Sequence, residues 1–169
     1  MNEPALPDFR IETFWQSFLS QTGRSPDTPY FSCDHFENSE ELCNALLSLV
    51  LAGTKRATSS SLPAYHRTGD RVPRAGDLSI FTDWAGNPCC VVETTGVSIL
   101  PFRDITFDIA AREGEDATLA SWQEGHRRFF KEDARALGYS FTEDMPVVFE
   151  DFRLLYPLPG EDEKEDHGS

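Results

Sequence analysis

Lys55 and Thr58 stand close together in Leu51-Ala52-Gly53-Thr54-Lys55-Arg56-Ala57-Thr58-Ser59-Ser60-Ser61, a stretch that leaves a helical pattern through a glycine. An amine followed so soon by a hydroxyl can supply a base and a nucleophile, or can cradle the phosphate or base of a nucleotide. The structural alternative is a helix that ends at Gly53 in the left-handed conformation, with Lys55 bonding the last free carbonyls. As a nucleophile Thr58 needs a neutral amine or a carboxylate within hydrogen-bond reach. Burial and the neighbouring arginines favour a neutral Lys55, whereas the C-terminal end of a helix favours the ammonium. The odd spacing puts Lys55 and Thr58 on opposite faces of a regular strand, so they converge only if the chain is still turning at Gly53. Ser59 and Ser60 are substitute nucleophiles, or they satisfy strand and turn groups.

The elements around this stretch follow from periodicity. Ile11, Phe14, Trp15, Phe18 and Leu19 recur at helical spacing, which predicts a first helix over 9–22. Tyr30 to Cys33 reads as a short extended piece. Asn38 or Ser39 caps a second helix whose stripe is Leu42, Ala45, Leu46, Leu49 and Val50. Ala57 to Ser61 is extended, and Pro63 to Arg74 reads as a polar loop. Leu78 to Thr82 and Cys89 to Thr95 form a strand pair around the turn Trp84-Ala85-Gly86-Asn87, and Val97 to Phe102 continues the sheet after a bend at Gly96. Asp104 to Arg112 is a short helix. Asp116 or Thr118 caps a longer one that carries Leu119, Trp122, His126, Phe129 and Phe130 on one face. Val147 to Tyr156 is a last strand. This order is α+β, with strands separated enough to close into a small barrel.

Composition narrows the function classes. A chain of 169 residues, 39% hydrophobic with thirteen phenylalanines, fits one domain with a proper core. No apolar run spans a bilayer, and Met1-Asn2-Glu3-Pro4 lacks the features of a signal peptide, so the cytoplasm is the expected compartment. Cys33, Cys43, Cys89 and Cys90 have no metal spacing and read as reduced. The net charge of −14 argues against a duplex nucleic-acid binder. Lys55, Arg56, His66, Arg67, Arg71 and Arg74 nevertheless cluster in sequence around a single acid, Asp70, a pattern that suits a small anion or a few nucleotides. Stacking candidates for a base are Trp84, Phe81, Trp122 and Phe102, with Trp84 in a turn the least tied to a core. His126 reads as a packing residue. A histidine nuclease has only His66 and His126 to draw on, and nothing in their spacing pairs them.

Four stretches together resemble the ASCH domain family: Leu51 to Thr58, the strand entry Ala75-Gly76-Asp77-Leu78, Ala111 to Trp122, and the closing strand Pro146 to Phe152. The likeness spans roughly 36–156. It implies a PUA-like small β-barrel with flanking helices over 36–157, preceded by a helical extension over 1–35 and followed by a solvated acidic tail over 158–169. The roles implied are RNA binding, ribonuclease action, or amide hydrolysis of acetylated cytidine. In the amidohydrolase branch the working groups are a lysine, a threonine three residues on and a later glutamate. Lys55 and Thr58 match the first two, and Glu115 best matches the third, with Glu113 its rival. Glu115 would orient Lys55 or shuttle a proton; otherwise it complements the dipole of the following helix.

The expectation is therefore a nucleoside or short single-stranded RNA held near Gly53, Arg56, Ser59, Arg67 and Trp84, with Lys55, Thr58 and Glu115 as the candidate catalytic groups and no metal or cofactor. Two rival classes remain. One is a binding module without turnover; the other is a protein-interaction module whose basic loop docks an acidic partner or the chain's own tail.

Overall fold

Asp8 opens the first helix by accepting a hydrogen bond from the Arg10 amide, and α1 runs Phe9–Gln21. Its face of Ile11, Trp15, Phe18 and Leu19 packs on Ile80 and Val91, so the N-terminal segment lies directly on the sheet. A computed structural model describes residues 8–37 and 39–157. The expected acidic tail and the alternative cap Asn38 lie outside the described residues.

Among the described residues, five strands form one mixed sheet in the order β1-β3-β4-β5-β2. They are β1 (Ser32–Asp34), β2 (Ala57–Ser61), β3 (Leu78–Thr82), β4 (Pro88–Pro101) and β5 (Pro146–Tyr156). Only β1 runs parallel to its neighbour, β3. The sheet curls into a half-barrel, an α+β architecture, with the short strands β1 and β2 as its free edges. The two strand pieces expected around Gly96 are one long β4, whose register against β5 shifts between Thr94 and Gly96. That bulge bends the strand where the glycine predicted a bend.

Helix α2 (Glu40–Leu51) is capped by the Ser39 side chain, which accepts from the Leu42 amide. Its buried stripe is Cys43, Leu46, Leu47 and Val50, which keeps Leu46 and Val50 of the predicted set, with Leu49 partly buried against the same cluster. Leu42 and Ala45 are exposed because the helix has two apolar faces, and the other one seals Cys90, Val92 and Phe152 of the sheet. The predicted polar loop after Ser61 begins with a helix, α3 (Leu62–Thr68). Ser61 accepts from the Ala64 amide at 3.2 Å and Pro63 occupies the first turn, where its missing N–H costs nothing. The single short helix expected over 104–112 is broken into a 3-10 turn (Phe102–Asp104), the one-turn α4 (Phe107–Ala110) and a second 3-10 turn (Ala111–Glu113).

Helix α5 (Leu119–Leu137) starts at Thr118, whose hydroxyl accepts from the Ser121 amide. Its inner face brings Trp122 and Phe130 onto Phe102, Ile105, Met145 and Val147. Trp122, Phe102 and Phe130 are fully buried. At about 3–5 kcal/mol for truncating such a ring, this cluster anchors α5 against the sheet. Trp122 and Phe102 are thus core, and neither offers a face to a ligand.

Candidate active site

The turn out of α2 decides where Lys55 points. Gly53 has φ +78, and the amides of Thr54 and Lys55 both bond the Leu49 carbonyl, at 2.9 and 3.0 Å. The Arg56 amide then bonds the Arg112 carbonyl, and the Phe152 amide bonds the Arg56 carbonyl. Lys55 is therefore still in the turn, two residues ahead of β2, and the opposite-face objection to Lys55 and Thr58 does not apply.

Lys55 is buried, and its Nζ has three acceptors: the Ala57 carbonyl at 2.8 Å, Glu113 Oε1 at 3.4 Å and Glu115 Oε2 at 3.3 Å. These match the three N–H donors of an ammonium. The Phe36 ring lies 5.5 Å from the nitrogen. Both carboxylates reach the same amine because Gly114 sits between them with φ +70. A Cβ there would come within 2.3 Å of the Thr54 carbonyl oxygen, so the glycine lets the two backbone segments touch.

The two carboxylates have different surroundings. Glu113 is fully enclosed, and besides Lys55 it accepts from Ser59 Oγ at 3.2 Å, from the indole N–H of Trp122 and from His126 Nε2 at 3.1 Å. Burial alone would raise its pKa, but the Lys55 charge and the His126 and Trp122 donors outweigh it and hold the carboxyl below its ordinary range. Glu115 is held by Lys55 alone among the described residues and keeps some exposure. Burial raises its pKa, Lys55 opposes that, Glu113 reinforces it, and the net shift is upward. His126 Nδ1 faces the Trp122 carbonyl at 2.9 Å while Nε2 faces Glu113. Both neighbours accept only, which calls for an imidazolium. Burial lowers the His126 pKa, yet the Glu113 hydrogen bond and charge outweigh it, so the net shift is upward.

A cavity of about 180 Å³ opens over this cluster, lined among others by Lys55, Thr58, Ser59, Glu115 and His126. Glu37 reaches its rim, in the left-handed conformation at φ 55, and burial raises its pKa. Glu113, Glu115 and His126 place ligand atoms within 4.8 Å of one another and are the residues able to hold a divalent cation. Such an ion would have to displace the Lys55 ammonium from both carboxylates.

The predicted site residues divide accordingly. Lys55, Thr58, Ser59 and Glu115 meet at one cavity, and Glu113 joins Glu115 rather than replacing it. It is Ser59, not Thr58, that bonds a carboxylate. Gly53 shapes the turn and lines none of the cavities described. Arg56 borders a separate groove with Arg112 and Asp151. Arg67 is exposed on α3, and Trp84 sits at the β3–β4 turn, edge-on to His35 at 5.0 Å. The clustered positive stretch is dispersed, because Lys55 is enclosed between carboxylates and Arg71 forks onto Asp77 at 3.0 Å through two nitrogens. His126 is the member that sequence reasoning set aside as packing. Its signal was present: it follows Trp122 by one helical turn on the face that meets Glu113.

A family model for the ASCH domain matches residues 32–156. The chain belongs to the ASCH domain family. The ASCH fold is PUA-like, in keeping with the half-barrel. The crystal structure of an ASCH domain from Lactobacillus crispatus JV V101 is 38% identical, with a TM-score of 0.80 over 87% of this chain and 94% of that one. The crystal structure of protein EF3133 from Enterococcus faecalis V583 is 33% identical, with a TM-score of 0.80 over 95% of this chain and 97% of that one. No curated protein sequence matches the chain. No helix of this ASCH protein, among the described residues, is long and apolar enough to cross a membrane.

Proposed function

We propose that this ASCH protein is an amide hydrolase acting on a modified nucleoside of the acetylated-cytidine type. The observation that carries the reading is Glu115, a half-buried carboxyl with an upward-shifted pKa, held against a buried ammonium in a cavity that also presents the Thr58 hydroxyl. In this reading Glu115 takes the proton of Thr58 Oγ1 as that oxygen attacks the amide carbon. It then returns the proton to the departing amine, and water cleaves the resulting threonine ester. Lys55, with its donors spread over three acceptors, fixes Glu115 and offers positive charge to the developing oxyanion. Glu113 serves as the fixed counter-ion of Lys55 and His126. A proton-transfer group of this kind contributes about 10²–10⁴ in rate.

A second reading rests on the absence of a Thr58–Lys55 hydrogen bond among the described residues: the pocket binds a nucleoside or short RNA strand without turnover, in keeping with the family's broad link to RNA. Acetate release from N4-acetylcytidine separates the two. Hydrolysis that falls at least a hundredfold in Glu115→Gln and in Thr58→Val, with both variants folded, supports the hydrolase. Full activity in either variant, or binding with no product, overturns it.

A further inference from the structure

We propose that the cavity between the free edges of β1 and β2 is the second half of the ligand site. It takes an uncharged, hydrogen-bond-donating part of the substrate and turns phosphate away. The proposal rests on the reading that the reacting amide lies over Lys55 and Glu115.

Room is the first argument. The cavity over Lys55, at about 180 Å³, is smaller than the roughly 300–1,000 Å³ of ordinary small-molecule sites. The neighbouring cavity adds about 450 Å³, and His35, Phe36, Thr58 and Ser59 line both. A ligand whose amide reached Glu115 would have its remaining bulk here.

Register is the second. Thr58 on β2 stands directly opposite Glu150 on β5, so the two side chains share one face of the sheet. Glu150 lines the second cavity, its Oε2 held by the Thr94 hydroxyl at 2.9 Å. Its Oε1 takes no hydrogen bond among the described residues. Ser60 and Tyr65 add a hydroxyl pair, 2.8 Å apart. Phe36 and Phe81 pack at 4.4 Å and supply an apolar wall. The lining therefore joins a flat apolar surface to a few convergent polar groups.

Charge is the third. Asp34, Asp70 and Glu150 line the cavity, and the cation among its lining residues, Arg71, is already forked onto Asp77. A phosphate would meet carboxyls without a free guanidinium. Sugar hydroxyls would find acceptors, as ribose hydroxyls do against carboxylates elsewhere. Burial raises the Glu150 pKa against the Thr94 hydrogen bond, with Asp77 adding to the rise, so this carboxyl holds its proton more readily than an ordinary one.

The test is calorimetric titration of the full chain with cytidine, its 5′- and 3′-monophosphates and 2′,3′-dideoxycytidine. Cytidine is expected to bind, with both monophosphates at least tenfold weaker. 2′,3′-Dideoxycytidine is expected to bind at least tenfold weaker than cytidine, which would place the sugar hydroxyls in the cavity; equal affinity overturns the proposal. Glu150→Gln, with its melting temperature unchanged, is expected to weaken cytidine about tenfold. The proposal is overturned if cytidine does not bind, if either monophosphate binds as tightly, if all compounds bind alike, or if Glu150→Gln changes nothing. Cytidine binding that depends on Glu150, without any hydrolysis of N4-acetylcytidine, would sink the Lys55–Glu115 reading alone.

Discussion

Replacing Lys55 by Met keeps most of the side chain's stem and removes one charge from a place with almost no water. Lys55 and Glu113 are each 2% exposed, and Lys55 Nζ bonds two carboxylates and a carbonyl. Removing one member of a buried ion pair costs about 3–5 kcal/mol, chiefly because the partner is left charged without compensation. For a chain of this size that corresponds to a fall in melting temperature of roughly 6–20 °C. Glu113 keeps Ser59, Trp122 and His126 as donors, which favours the lower half of the range. Urea unfolding followed by tryptophan fluorescence reads the change as a shift in midpoint at constant slope. The paired variant Lys55→Met/Glu113→Gln supplies the control, since it removes the stranded charge. Its cost should fall short of the sum of the single costs by about 2 kcal/mol, the coupling expected of contacting groups. A single-variant cost below about 1 kcal/mol with strict additivity would refute the reasoning, because it would mean that the pair is solvated.

Three more outcomes follow from the same geometry. Gly114→Ala should destabilise by about 2–4 kcal/mol, as a left-handed residue acquires a Cβ that strikes the Thr54 carbonyl, and it should depress hydrolysis by pulling Glu115 off Lys55; thermal unfolding and acetate release check both. The stabilisation that His126 gives through its upward-shifted pKa is fully present below the ordinary value of 6.5 and is lost as pH rises through the folded value. The Glu113 contribution is present above the ordinary 4.5 and is lost as pH falls below it. Melting-temperature differences between the wild type and His126→Gln should therefore shrink on the alkaline side, and a difference that is flat with pH would contradict the imidazolium. Arg71→Ala should cost no more than about 1 kcal/mol, because its exposed fork to Asp77 lies in solvent; denaturant midpoints check it.

The helices α1, α2 and α5 and the strands β3 to β5 were legible because their apolar residues recur at the period of the element, with glycines and capping hydroxyls at the ends. The segment after Ser61 was misread because Pro63 looks like a loop residue, although in a first turn it suits a helix. The site was half legible. Lys55 and Thr58 came first from their residue types and spacing and Glu115 from the family resemblance, and the turn at Gly53 makes their convergence possible. Glu113 and His126 were harder, since a glutamate in a broken helical stretch and a histidine on a core stripe each have an ordinary structural explanation. What makes them a pair is a tertiary fact, the approach of the second 3-10 turn to the first turns of α5. Glu150 carried no sequence signal at all, because its meaning comes from the register that sets it opposite Thr58.

Two glutamates separated by one glycine share a lysine yet are driven to opposite protonation tendencies, and that division is the chemical content of the site. Glu113 has four kinds of donor and no exposure, so it stays ionised and holds Lys55 and His126 in place. Glu115 has one donor and an opening, and burial with the Glu113 charge shifts its pKa upward against Lys55. Two titratable groups whose surroundings drive their pKa values apart can divide an acid–base role and a fixed structural one between them. Under the proposed reading the cluster lets an acidic chain take a polar ligand. Lys55 and Arg71 are each paired where they stand, which weakens their own attraction for phosphodiesters, and under the proposed reading the Lys55 charge faces its two carboxylates and the oxygen that develops beside them. On that same proposed reading, recognition by donors and shape, with charge reserved for the reacting bond, is what a small-substrate enzyme requires and a nucleic-acid clamp does not.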